Sequence, residues 1–166
     1  MEETCRSMNW IISKGYAFYW GTSEWTSSQI NEAYTICERL NLIKLIVEQC
    51  RYNILFRESI ESDCRDLFKK FKMKTTIWSP LYSGILNGKY IESVPQHSRA
   101  KLKNDRAYTA FGYYMKNKNE IDEKLLKIKE IAEKNSNVIW QLLLFHGVLL
   151  ILMLVFVSLE QLNQVN

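Results

Sequence analysis

The sequence predicts an α/β fold built on a parallel sheet of strand–helix units. Three short segments are rich in apolar residues and do not alternate apolar with polar side chains, which is typical of strands buried on both faces. Between them lie segments whose apolar residues recur at helical spacing. Strand-like and helix-like segments that alternate along a chain favour a parallel sheet covered by helices.

The chain begins with a predicted helix and a predicted strand. Residues 1–14 place apolar side chains at helical spacing, and Gly15 stands where such a helix would stop. The aromatic run Tyr16–Trp20 follows and ends in Gly21-Thr22-Ser23. We interpret this run as a buried strand.

A second helix and a second strand come next. Thr26 and Gln29 have the form of a capping box, in which the hydroxyl and the amide satisfy backbone groups of the first turn. Apolar residues then line one helical face, and Asn41 can close the helix. Residues 42–49 form an apolar run bounded by polar residues, which predicts the second strand.

The rest of the chain is less regular. Residues 56–71 are predicted to contain a helix, and Lys74–Trp78 is predicted as a third strand that Pro80 ends. Residues 85–119 are predicted to be loop-rich and basic. A solvent-facing amphipathic helix is predicted from Ile121 to near residue 135.

Composition indicates a globular chain in a reducing compartment. Of 166 residues 47% are apolar, and a net charge of +4 is too small to argue for nucleic acid as a partner. Four cysteines without a CxxC pair predict buried thiols, and two histidines without nearby ligands make a structural metal site unexpected. The N-terminus has no apolar signal segment, so cytoplasm is the expected compartment.

Distinctive residues stand at the ends of the predicted strands, where α/β folds place their chemistry. In chain order they are Tyr19-Trp20-Gly21-Thr22-Ser23-x-Trp25, Glu48-Gln49-x-x-Tyr52, Trp78-Ser79-Pro80-Leu81-x-x-Gly84-Ile85, Gly88-Lys89-Tyr90 and Ser98-Arg99-Ala100. Together they resemble the aldo-keto reductase superfamily, and within it most closely the β subunits of voltage-gated potassium channels. The resemblance extends from residue 1 to about residue 143.

The resemblance implies part of a TIM (β/α)8 barrel, roughly strands 5–8 with their helices, that binds NADPH at its carboxyl-end mouth. Residues 1–143 are expected to form the C-terminal half of such a barrel, and residues 144–166 a divergent apolar tail. On this interpretation the chain starts after the fourth strand. Half a barrel exposes two sheet edges, so a complementing barrel half is an expected partner. The resemblance also implies a homotetramer.

The resemblance also assigns cofactor contacts. Ser23 and Gln49 would hydrogen-bond the nicotinamide carboxamide, and Trp78 would stack on the nicotinamide ring. The pyrophosphate would lie along the loop that holds Ser79, Pro80, Leu81 and Ser83. Lys89 and Arg99 would meet the phosphates of the adenosine half, including the 2′-phosphate, and Ser158 and Gln161 would belong to the last adenosine-binding segment.

Several residues depart from the family pattern, three of them within residues 1–143. Glu24 occupies a position that is basic in the channel subunits, and a carboxylate there would repel cofactor phosphates at short range. Tyr82 replaces a small residue of the pyrophosphate loop, and His97 replaces a tyrosine.

The expected chemistry of the family requires residues that the resemblance does not place in this chain. A tyrosine acid with a Lys–Asp pair and a fourth polar residue come from the first half of the barrel in the family. Tyr19 and Tyr52 are the nearest substitutes, but neither has a neighbouring lysine and aspartate in the sequence, and both are expected to be core or wall aromatics. We therefore predict no catalytic residues and no intrinsic reductase activity for this chain alone.

The tail leaves alternatives open. Residues 138–157 are nearly all apolar, and Glu160 is the one charged residue beyond residue 137. Such a segment fits a buried helix followed by the final strand, a membrane span, or an unrelated extension.

The function implied by the resemblance is regulation of a voltage-gated potassium channel by a cytoplasmic subunit that binds NADPH. Its partners would be channel α subunits, through which it would lie at the plasma membrane. Two alternatives remain: a fragment of an NADPH-dependent reductase of aldehydes and ketones, and a truncated copy without function.

Overall fold

A computed structural model describes residues 1–101 and 105–135, together with residues 144 and 147. The described residues belong to two compact units. The first covers Met1–Trp78, and the second starts at Ser79.

The first unit contains a three-stranded parallel sheet with helices between the strands. Its elements in chain order are α1 (Glu2–Ser13), β1 (Gly21–Ser23), α2 (Ser27–Arg39), β2 (Val47–Arg51), a π-helical turn (Ser59–Asp63), α3 (Arg65–Phe71) and β3 (Lys74–Trp78). The strand order is β1-β2-β3, and both pairs are parallel. The predicted α/β class with a parallel sheet is therefore confirmed.

The start of α2 follows from local chemistry. The Thr26 hydroxyl accepts a hydrogen bond from the Gln29 N–H, and the Gln29 side chain accepts one from the Thr26 N–H at 2.9 Å. This capping box satisfies backbone donors that the first turn would otherwise leave unpaired. Asn41 follows the helix with a left-handed φ of 50°, which asparagine tolerates better than most residues. The predicted beginning and end of α2 are confirmed.

The predicted strand over Tyr16–Trp20 is wrong. Tyr16, Phe18 and Tyr19 are between 71% and 88% exposed, and β1 begins only at Gly21. In its register β1 places Gly21 opposite Val47, where a Cβ atom on residue 21 would lie 2.4 Å from the Val47 carbonyl oxygen. Pairing of β1 with β2 therefore needs a glycine at residue 21. The run Tyr16–Trp20 was predicted to be a strand because it is apolar and aromatic.

The prediction that the strands are buried on both faces, which was based on their apolar sequences, is also wrong. Thr22, Glu48 and Thr75 are buried, while Ser23 and Gln49, their neighbours along the strands, are exposed. Successive side chains of a strand point to opposite faces, so one face of the described sheet is covered and the other is not. The second strand also starts later than predicted, at Val47 rather than residue 42.

The second unit is mostly helical. Two 3-10 turns, Tyr82–Asn87 and Arg99–Lys101, precede α4 (Asp105–Lys116) and α5 (Lys118–Asn135). The prediction of α5 is confirmed, with Ile121 and Leu125 buried. The loop-rich prediction for 85–119 is wrong over α4, whose many aromatic residues lower its intrinsic helix propensity while Tyr114 anchors it by burial.

The thiols are buried, as predicted. Cys5, Cys37, Cys50 and Cys64 are all free and at most 1% exposed. Burial raises the pKa of the Cys37 thiol to about 12 and that of Cys64 to about 11, which keeps both protonated at neutral pH.

Candidate functional site

The carboxyl ends of the three strands bring predicted cofactor residues together in the first unit. Ser23 pairs with Gln49, Gln49 pairs with Thr76, and Arg51 pairs with Trp78. Paired residues of parallel strands share a face of the sheet, so Ser23 and Gln49 lie side by side on the exposed face. The roles of these residues toward a ligand stay predictions, but their placement at one edge is that of α/β ligand sites.

Trp78 is held at this edge by a carboxylate. One oxygen of Glu24, Oε1, accepts hydrogen bonds from the Trp78 indole Nε1–H and from the Arg51 backbone N–H, each at 2.7 Å. The Arg51 guanidinium lies 5.9 Å from the centre of the Trp78 ring and 3.7 Å from that of Phe56. Glu24 therefore has two donors in place, an arrangement that sequence analysis missed because it requires three strand ends to meet.

The buried face of the sheet carries a row of polar side chains. Thr22, Glu48 and Thr75 are paired across the strands, and all three are buried. The Thr22 hydroxyl donates to the Glu48 carboxylate, which also accepts from the Trp25 N–H at 3.2 Å. Burial raises the pKa of the Glu48 carboxyl, and these hydrogen bonds oppose the shift.

Glu48→Gln is expected to remove a pH dependence of stability. The folded Glu48 carboxyl binds its proton more tightly than the unfolded one, so its contribution is fully present below the unfolded pKa and is lost as the pH rises through the folded pKa. The difference in free energy of unfolding between wild type and variant, measured by urea denaturation between about pH 4 and pH 8, should therefore decline with pH. Glu32→Gln on the exposed side of α2 controls for the lost surface charge. A difference that does not change with pH would contradict the burial argument.

In the second unit, the loop after Trp78 has an unusual backbone. Tyr82, Ser83 and Gly84 are consecutive and have left-handed φ angles of 45°, 56° and 87°, and Ser79 has one of 59°. This conformation costs roughly 1–2 kcal/mol for each residue other than glycine, and runs of such residues are enriched at functional sites. The bulky Tyr82, a departure from the family pattern, is buried and packs edge-on against Tyr113.

The backbone carbonyls of this loop are engaged within the loop itself. The Ser79 carbonyl accepts from the Tyr82 N–H at 3.0 Å, and the Leu81 carbonyl accepts from the Gly84 N–H at 2.9 Å. Pro80 stands between them with an intermediate exposure. These hydrogen bonds make one tightly turned segment, which contains Ser79, Pro80, Leu81 and Ser83. Their closeness in space follows from their closeness in the sequence.

The basic candidates lie after this loop and are exposed. The Lys89 side chain crosses over Gly84, where a Cβ atom would lie 2.8 Å from the Lys89 Nζ. Arg99 begins the second 3-10 turn, directly after Ser98. Within the described residues the Ser98 hydroxyl is buried and has no hydrogen-bond partner. The two exposed cations are suited to bind phosphates, and their cofactor roles stay predictions. The Ser98 hydroxyl, unpaired in the part of the chain that the structure describes, is a feature that only the burial of this residue reveals.

A Tyr–Lys–Asp cluster occurs in the second unit. The Tyr114 hydroxyl lies 2.7 Å from Asp122 Oδ1, and Lys118 Nζ donates to the Ile91 carbonyl at 2.8 Å and to Asp122. Burial and the hydrogen bond to Asp122 raise the pKa of Tyr114 to about 12. A tyrosine that acts as a general acid needs a lowered pKa, and that of Tyr114 is raised. We therefore interpret the cluster as structural, with hydrogen bonds that connect α4 to α5.

The two tyrosines that come nearest to a substitute for a catalytic tyrosine, Tyr19 and Tyr52, differ in burial. Tyr52 is 1% exposed and donates a hydrogen bond to Glu61, which Arg57 also binds through two contacts of 2.8 Å. Burial raises the pKa of Tyr52 as well. The core interpretation of Tyr52 is confirmed, whereas Tyr19 is 71% exposed and does not lie in the core.

Two predicted site residues, Ser158 and Gln161, lie outside the described residues, as does nearly all of the apolar segment 138–157. Among the helices that the structure does describe, none is both long enough and apolar enough to cross a membrane.

Comparison with known proteins identifies the family. A family model described as the aldo/keto reductase family matches residues 1–164. A probable voltage-gated potassium channel subunit beta of Oryza sativa subsp. japonica is 43% identical over 129 residues, which are 77% of this chain and 37% of that protein. A probable voltage-gated potassium channel subunit beta of Arabidopsis thaliana is 41% identical over 138 residues, which are 81% of this chain and 40% of that protein. The chain thus spans about two fifths of the length of these relatives. With its parallel sheet and the residues placed at the strand ends, the chain belongs to the aldo/keto reductase family.

Proposed function

We propose that this chain is a voltage-gated potassium channel β-subunit-like protein that binds NADPH and regulates channel activity. The observation that carries the proposal is the edge at which Ser23 pairs with Gln49 while Trp78 ends the neighbouring strand. Relatives that are named as channel β subunits support the regulatory part.

In this proposal the first unit contacts the nicotinamide half of NADPH. Ser23 and Gln49 offer a hydroxyl and an amide, which can hydrogen-bond both the oxygen and the nitrogen of a carboxamide. Trp78 offers an aromatic face on which the nicotinamide ring stacks. Both polar side chains are exposed, so they can contact a ligand without first breaking a buried contact.

The second unit is proposed to contact the phosphates. Ser79, Leu81 and Ser83, in the loop that Pro80 shapes, line the pyrophosphate, and Lys89 and Arg99 bind the adenosine phosphates. Ser158 and Gln161 complete the adenosine contacts in this proposal.

We further propose that the chain is part of a (β/α)8 barrel and covers roughly strands 5–8, of which the described sheet contains three. Sequential order of parallel strands, each followed by helical structure, supports this assignment. A barrel adds its strands in chain order, whereas a doubly wound sheet reverses order at a switch point.

The proposed partners are channel α subunits, and the proposed location is the cytoplasmic side of the plasma membrane through those subunits. A homotetramer is the proposed assembly. Co-precipitation with the cytosolic domain of a voltage-gated potassium channel α subunit tests the regulatory part, with an unrelated tetrameric cytosolic domain as control. Failure to co-precipitate, together with potassium currents that the chain leaves unchanged on co-expression, would refute it.

The cofactor part is tested with Lys89→Ala in the full chain. Loss of a cation beside a phosphate is expected to weaken NADPH binding about tenfold in calorimetric titration. NADH, which lacks the 2′-phosphate, should bind wild type more weakly than NADPH and lose less on substitution. Lys127→Ala on the exposed side of α5 is the matched control. Equal affinities of wild type and Lys89→Ala for NADPH, or no binding of either dinucleotide, would contradict the assignment.

A further inference from the structure

Glu24 occupies a special position at the end of β1. Its φ of 60° is left-handed, a conformation that residues other than glycine adopt rarely. Its backbone N–H donates to the Gln49 carbonyl at 3.1 Å, which continues the pairing of β1 with β2 by one residue. The backbone therefore turns sharply at Glu24 while it stays attached to the second strand.

From this position the carboxylate reaches the ends of both other strands. Its Oε1 atom accepts from the Arg51 N–H at the end of β2 and from the Trp78 indole N–H at the end of β3. Both distances are 2.7 Å, the length expected of strong hydrogen bonds to an ionised acceptor. One carboxylate oxygen of the residue that follows β1 thus contacts the ends of β2 and β3.

The Trp78 ring is fixed by this bond and by a second contact. An indole can rotate about its side-chain bonds, and a hydrogen bond to its single N–H selects one orientation. The Arg51 guanidinium is within cation–π range of the ring at 5.9 Å, and it is itself placed over Phe56. A planar ligand that stacks on Trp78 must then use the face opposite to Arg51.

We propose that Glu24 is a positioning residue that sets the orientation of the Trp78 indole before any ligand binds. The part of this inference that concerns affinity rests on the proposed function, in which a nicotinamide ring stacks on Trp78. The part that concerns the indole itself does not. The sequence predicted that the Glu24 carboxylate would repel a cofactor. In this proposal it instead orients the Trp78 ring on which the cofactor stacks.

The alternative is that Glu24 serves only to satisfy the Arg51 N–H and so to end β2. In that case its removal would affect stability but would leave the environment of Trp78 unchanged. The indole N–H separates the two roles, because its chemical shift reports its own hydrogen bond. The chain has five tryptophans, and Trp78→Phe identifies the resonance of Trp78.

The experiment compares wild type, Glu24→Ala and Glu24→Gln as ligand-free full-length chains by ¹H–¹⁵N spectroscopy. We expect Glu24→Ala to shift the Trp78 indole resonance and to leave that of Trp20, which donates to the Ile43 carbonyl at 2.8 Å, in place. Glu24→Gln keeps a neutral acceptor and should give a smaller shift. It also guards against a fold defect in the alanine variant. An unmoved Trp78 resonance in both variants would overturn the proposal.

Calorimetric titration with NADPH then measures the consequence. Loss of the preset orientation is expected to weaken binding about three- to tenfold in Glu24→Ala, with most of the affinity kept in Glu24→Gln. If wild type binds no NADPH while the indole resonance moves as expected, the proposed function fails and the positioning role stands. If wild type and Glu24→Ala bind NADPH equally and the resonance stays in place, the positioning role fails alone.

Discussion

Gly21→Ala is expected to disrupt the pairing of β1 with β2 and to lower the free energy of unfolding by about 3 kcal/mol or more. A Cβ atom on residue 21 would lie 2.3 Å from a Val47 methyl carbon and 2.4 Å from the Val47 carbonyl oxygen. The methyl group can rotate away, but the carbonyl belongs to the neighbouring strand and cannot move without separating the two. Native domains are stable by only about 5–15 kcal/mol, so this loss is large.

Urea denaturation followed by far-UV circular dichroism measures the loss. Gly112→Ala is the matched control, because Gly112 lies in α4 and a Cβ atom there would meet nothing within 4 Å. Alanine is the better helix former, so the control should raise stability by up to about 1 kcal/mol. A Gly21→Ala chain as stable as wild type would show that the close approach of the two strands is not required.

Trp78→Ala is expected to weaken NADPH binding by about thirtyfold or more, the effect of removing a large aromatic contact from a binding site. The substitution removes both the stacking face and the group that Glu24 orients, so its effect should exceed that of Glu24→Ala. Calorimetry is the suitable measurement, because the change also removes a fluorophore.

Trp10→Ala provides the control for Trp78. Trp10 lies on α1, is 55% exposed and contacts the ring of Tyr16. Its loss should leave NADPH affinity at the wild-type value. Similar losses of affinity in both variants would indicate a general effect of tryptophan removal and would refute the role assigned to Trp78.

The elements that sequence analysis located correctly are those specified by local chemistry. The capping box of Thr26 and Gln29 defines the start of α2 whatever packs around it. Lys74–Trp78 is β-branched and aromatic and is followed by a proline, and the observed strand has the same bounds. The spacing of Ile121, Leu125 and Ala132 predicted α5 because burial of one helical face leaves a period of 3.6.

The wrong predictions concern segments whose local composition is compatible with more than one secondary structure. The aromatic run before Gly21 has the composition of a strand, yet Tyr16, Phe18 and Tyr19 are exposed because pairing with Val47 begins one residue after the run. The segment of α4 was predicted to be a loop from its composition. It is helical because Tyr114 is buried and hydrogen-bonded to Asp122. In both cases long-range contacts outweigh local propensity.

The candidate site divides in the same way. Motifs in the sequence predicted cofactor contacts for Ser23, Gln49, Trp78, Lys89 and Arg99, since a motif is a property of chain order, and those roles stay predictions. The bond between Glu24 and Trp78 spans 54 residues and exists only once the strands are paired. The burial of Glu48 and the lack of a partner for the Ser98 hydroxyl within the described residues likewise depend on what surrounds each group.

The sequence by itself therefore determined the family and the residues that stand at the strand ends, because motif order is a property of the sequence. It also determined the parallel α/β class, because periodicity and capping depend on residues that are close in the sequence. Only the tertiary structure decided which residue starts β1, which face of the sheet is covered and what the Glu24 carboxylate binds. These features depend on atoms that are distant in sequence and meet within a few ångströms, and chain order alone does not specify such distances.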